Sequence, residues 1–185
     1  MGSTEGRPFL EDLGQADTQA FASAFAGGVV FNLANLLVVA AIDIAGMAVA
    51  FPVGIGIALA LGVVVNYLAS PVGDPVLLFI GVALVVIAII FDALAYRQKA
   101  SGSGNTPTKG IIYAIVGGVL MAFFFRLVAA SVSPDFVNPE AGLFTPYSAV
   151  LVFAIGIFIS NFLLNSYFMF KPVSGAPMTF ADYFI

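Results

Sequence analysis

Residues 21–69 carry a single charged side chain, Asp43, and that one stretch dictates the solvent of the whole chain. A membrane crossing takes about 20 apolar residues at a helical rise of ~1.5 Å each. Residues 21–42 supply one such length and residues 47–69 a second, with 43–46 as the joint. Neither run alternates at every second position, as a barrel strand would. Continuous apolar sequence in lipid calls for helices, which satisfy their own backbone hydrogen bonds.

The rest of the chain follows suit. Of its 185 residues, 61% are hydrophobic and only 9% charged, where a soluble domain has roughly 25% charged. Five spans are expected, at 21–42, 47–69, 76–96, 110–132 and 146–170. The fold class is therefore all-α: a polytopic membrane helix bundle of five transmembrane helices over 21–170. An acidic polar tail (1–20) precedes it and a polar tail (171–185) follows. The start does not read as a signal peptide, for which basic residues are expected first. Here Glu5, Glu11, Asp12 and Asp17 stand against Arg7. Pro71 and Pro75 mark a turn, since neither helix interior accommodates them.

Charge sets the expected orientation. The Gly/Ser/Thr-rich loop 97–109 holds Arg97, Lys99 and Lys109 and no acid, so it faces the cytoplasm. Lys171 falls on the same side two crossings later, while the acidic start, Asp74, Asp135 and Glu140 fall on the other. The N-terminus is expected outside and the C-terminus inside, in the plasma (inner) membrane. With no cysteine and no histidine, disulfides, thiolates and the commonest acid–base group are excluded. No phosphate loop or close carboxylate pair sits in a span. An enzyme, a cofactor, a metal and a nucleic-acid partner are not expected.

Several residues exceed what bare anchors need. Asn32 and Asn35 share a helix face with Gly28, at i+4 and i+7. Amides in hydrocarbon must find partners, which is met by a polar solute or by a neighbouring helix. Asn161 and Asn165, beside the small pair Gly156 and Ser160, carry the same two readings. Pro52 frees the carbonyl of Ala48, a break suited to gating or to static shape. Gly54, Ala58 and Gly62 recur every fourth residue and lead to Asn66, a ridge for close packing. Asp43 reads as a cap or turn residue, or as a proton- or cation-binding carboxylate at a vestibule. Arg126 reads as a snorkelling cation or, with Gly118 and Ala122 on its face, as an anion- or hydroxyl-binding group. The third span is a lipid-facing support, with Asp92 and Arg97 as an interfacial pair.

The segment GGVVFNLANLLVVAAIDIAGMAVAFPVGIGIALALGVVVNYL, from Gly27 through Leu68, resembles the glucose/ribose uptake and ureide permease branch of the drug/metabolite transporter superfamily. TPYSAVLVFAIGIFISNFLLNSYFMFKPVSG, followed by ADYF, is similar to a later part of the same proteins. The resemblance implies a ten-helix fold of two inverted five-helix repeats, a cytoplasmic loop between the halves, small polar solutes and no prosthetic group. It matches the five spans to the third through seventh helices of that fold. A truncated reading frame and a need for a second polypeptide or oligomer both remain open.

The expected function is transport of a small polar solute, a sugar or similar metabolite, through a lipid bilayer by alternating access. Asn32, Asn35, Asn161, Asn165 and Arg126 would bind solute, and Asp43, Pro52 and Asn66 would serve gating or coupling. The competing reading is a non-transporting membrane subunit whose polar residues only join helices.

Overall fold

The computed structural model describes residues 6–99, 108–173, 175–179 and 182. Six helices follow in order: α1 (Phe9–Gln15), α2 (Thr18–Ala45), α3 (Met47–Ala69), α4 (Pro75–Lys99), α5 (Thr108–Ala129) and α6 (Pro146–Phe170). Helices α2 to α6 are each long and apolar enough to cross a membrane, which bears out the five-span, all-helical reading. Residues 100–107 of the basic loop lie outside the described residues, as does the side chain needed for an Asp92–Arg97 pair.

Three boundaries differ from the sequence reading, each for a local reason. The polar start is not all tail, because Phe9–Gln15 coils into α1 behind Pro8. The joint between the first two spans shrinks to Gly46, whose φ of 80° and ψ of 150° no other residue adopts readily. Asp43 consequently lies inside the last turn of α2, exposed, rather than in a loop. The fourth span ends at Ala129, not 132, because the Ser131 carbonyl and the Ser133 N–H turn to the Phe144 backbone across a loop, the first accepting and the second donating. Arg126 is thereby in the last helical turn, about 4.5 Å from the end at the helical rise.

The chain divides into two compact units, Met1–Asn32 with Phe124–Phe162, and Leu33–Phe123 with Leu163–Ile185. In the first, α2 and α6 run parallel and meet at two glycines. A methyl group on Gly28 would strike the Phe153 carbonyl, and one on Gly156 would strike that of Phe25. Phe31, Phe124 and Phe153 pack their rings beside this crossing, with centroids 4.8–6.0 Å apart. Above it, Ala20, Ala24, Phe144, Ala149 and Val152 form a core that Leu13 and Ala16 join from the α1 side.

In the second unit the expected ridge on α3 meets a matching ridge on α5. A Cβ on Gly54 would lie 3.3 Å from the Ala114 carbonyl, and one on Gly118 would strike that of Gly54. One on Gly62 would lie 3.7 Å from the Ala122 Cα. Small residues at every fourth position thus bring two backbones together. Ala41, Ala50 and Ala114 centre the core where α2, α3 and α5 meet. Helix α4 packs through Ile89 on Gly56 and through Phe79 on Tyr67, while its apolar window is wholly unburied. Asp74 starts it, accepting the N–H groups of Val76 and Leu77 at 2.8 and 3.3 Å ahead of Pro75.

The packing predicts unequal responses to one substitution. Gly28→Val should force α2 from α6 and cost about 1–3 kcal/mol, the range for overpacking. Gly81→Val, at an α4 glycine with nothing within 4 Å, should leave stability unchanged. Thermal unfolding of both variants in detergent checks the difference.

Candidate functional site

Polar groups inside the apolar helices carry the candidate site, and the structure sorts them by surroundings. Asn32 is buried, 7% exposed, and its Nδ2 donates to Ser160 Oγ at 3.0 Å. Ser160 in turn donates to the Ile157 carbonyl at 3.0 Å. Asn32 lies one turn beyond Gly28, and Ser160 one turn beyond Gly156. The glycine contact brings the backbones close enough for two short side chains to bridge them. Ser160 is therefore a partner that the sequence marked only as small.

The remaining predicted residues occupy other positions. Asn35 is half-buried on α2, in the second unit. Asn161 and Asn165 face outward from α6, both exposed. Asn66 donates back along its own helix to the Gly62 carbonyl at 2.7 Å, so its amide offsets a backbone acceptor at the end of the α3 ridge. Pro52 sits inside α3, half-buried, one turn from Ala48. Arg126 is exposed at the C-terminal end of α5, where a cation complements the helix dipole.

A second polar cluster had no signal in local sequence. Asp12 on α1 is fully buried. Its Oδ2 accepts the Thr145 backbone N–H at 2.8 Å and the Thr145 hydroxyl at 2.9 Å. Its Oδ1 accepts Arg7 Nη1 at 3.0 Å. Thr145 and Pro146 open α6, so the carboxylate caps the positive end of that helix. Arg7 continues to the carbonyls of Pro139, Glu140 and Leu143 at 2.8–3.2 Å, and Gln15 bonds Leu143 and Gly142. Burial alone would raise the Asp12 pKa. Interactions with Ser148, Thr145 and Arg7 outweigh it and hold the carboxyl below its ordinary value. The Ser148 hydroxyl is buried near the carboxylate without forming a well-aligned hydrogen bond. The whole cluster ties the polar start of the chain to the loop before α6.

Two predictions follow from these contacts. Because the Asp12 pKa is depressed on folding, its contribution is present above the unfolded value, ~3.9, and fades as pH falls through the lower folded value. Amide protection factors in α1, corrected for the intrinsic exchange rate, should hold at neutral pH and fall as the solution is acidified below the unfolded value; protection that does not change with acidification would contradict the assignment. Separately, a double-mutant cycle of Asn32→Ala and Ser160→Ala should show coupling of about 0.6–1.7 kcal/mol, the range for interhelical bonds in lipid. Unfolding in mixed micelles measures it.

Comparison with known proteins places the chain. Residues 1–106, which contain α1 to α4, match the family model described as ureide permease. Ureide permease 1 of Arabidopsis thaliana is 22% identical over 224 residues, covering 91% of this chain and 57% of that protein. This chain thus spans little more than half the length of that curated relative. No solved structure matches it. The match over residues 1–106 takes in Asn32, Asn35, Asp43, Pro52 and Asn66, and on it the chain belongs to the ureide permease family.

Proposed function

We propose that this chain supplies five helices of a permease that carries a small polar solute across a membrane by alternating access. The observation that carries the reading is the family match over residues 1–106. It coincides with the stretch where Asn32, Asn35 and Pro52 interrupt otherwise apolar helices. The relative's name points to ureides, solutes dense in N–H and C=O groups; a sugar offers a similar density of donors and acceptors. Carboxamides suit either, since each presents two donors and an acceptor.

In this reading Asn35, Asn161, Asn165 and Arg126 contact solute, and Asn32 holds α2 against α6 through Ser160. Pro52 gives α3 its break, with Asn66 at the far end of the ridge. Asp43, exposed at the end of α2, is the candidate for coupling to a proton or cation. Two cation–π pairs stand at helix ends that charge assigns to one side. Lys109 lies 5.7 Å from the Tyr113 ring and Lys171 5.9 Å from that of Tyr167, as at an interfacial aromatic belt. Both belong on the cytoplasmic side of the plasma membrane. The remaining helices of a ten-helix, inverted-repeat transporter would come from a second polypeptide or oligomer.

One observation favours the competing reading of a non-transporting subunit: the Asn32–Ser160 bond is interhelical glue in form. Asn35→Leu and Asn161→Leu separate the two. Each should lower uptake of a labelled ureide or hexose by about tenfold or more, the effect of one lost hydrogen bond to solute, with membrane expression unchanged. Loss of expression or assembly alone would favour the subunit.

A further inference from the structure

Helices α3 and α4 enclose an open groove of about 690 Å³. Phe51, Pro52, Ile55 and Leu59 line one wall, and Val85, Ala88, Phe91 and Ala95 contribute to the other. Gly56 forms its floor, because only a residue without a side chain lets Ile89 approach so closely. Among the lining residues Asp92 alone is ionisable. It is exposed and stands one turn before Tyr96, the last residue of the expected span 76–96, close to where hydrocarbon gives way to headgroups.

The dimensions restrict what fits. From Val85 to Ala95 the groove follows α4 for about 15 Å at the helical rise, half of a hydrocarbon core of ~30 Å. That is the depth of one leaflet. An occupant needs an apolar chain of that reach and a cationic end at its mouth. We infer that the groove holds one acyl chain of a phospholipid whose primary ammonium headgroup binds Asp92.

The chemistry of the mouth supports this class over other lipids. A carboxylate accepts hydrogen bonds and donates none, so it pairs with an –NH₃⁺ group and repels an anionic headgroup. The site is separate from the asparagines assigned to solute, and its test does not depend on transport.

The experiment is lipid retention by the full chain, delipidated in mild detergent and re-equilibrated with dioleoyl phosphatidylethanolamine or dioleoyl phosphatidylglycerol, read by native mass spectrometry. The wild-type chain should retain the ethanolamine lipid about fivefold better, equivalent to roughly 1 kcal/mol for one charge at the membrane surface. Asp92→Asn should bring the two lipids to parity, and Ala88→Phe, which fills the groove but keeps the carboxylate, should abolish the preference as well. Circular dichroism confirms that both variants keep their helices. Equal retention by the wild-type chain, or a preference unchanged in either variant, would overturn the assignment. So would equal binding of glycerophosphoethanolamine, which has the headgroup without the chains.

Discussion

Close approach of helix backbones is the constraint on which this structure depends. In lipid, apolar side chains gain nothing by leaving their solvent, so the force that packs a soluble core is missing. What remains is dispersion between well-fitted surfaces and hydrogen bonds across them. The chain meets this requirement by placing its smallest residues inside and its largest outside. Its buried apolar residues are mostly alanine, whereas Leu163 is 73% exposed and Phe158 65%. Gly28 on Gly156, and Gly54 on Gly118, are where side chains vanish altogether.

Once the backbones are close, short polar side chains can act between them. Asn32 reaches Ser160 only because each lies one turn past a glycine of the crossing. Asp12 follows a different rule, since a buried carboxylate must be fully compensated. It finds a guanidinium, a helix N-terminus and a hydroxyl outside the spans. The amides are affordable within the membrane because they are neutral. Asp43 and Arg126 sit in end turns, and Asp92 one turn short of the end of its expected span.

The spans were legible because hydropathy over 20 residues is a summed signal that no single neighbour alters. The α3 ridge was legible for a related reason, as a four-residue period fixes a face before the partner is known. Its partner face, Ala114, Gly118 and Ala122, carries the same period, and Gly118 and Ala122 had been grouped with Arg126. The α1 cluster was illegible because Asp12 meets residues more than 130 positions away. Nothing in FLEDLGQ distinguishes a buried carboxylate from a solvated one. The Gly46 joint was placed a few residues too wide, since Asp43 resembles a cap until the helix is seen to run past it. Which asparagines would be buried and which exposed could not be read from their spacing: Ser160 and Asn161 are neighbours in sequence yet face different surroundings.

The outer surfaces of α4 and α6 differ in a way that bears on transport. Helix α4 offers lipid an apolar face, and its one acid, Asp92, stands one turn before the end of the expected span. Helix α6 is more buried, and its exposed side bears Asn161 and Asn165 in mid-apolar sequence. A carboxamide presents two donors and an acceptor, so such a face is more polar than the acyl chains beside it. On the proposed reading, α6 is the helix that turns one side to its packing partner α2 and the other toward solute. Helix α4 then remains the wall on which the bilayer rests.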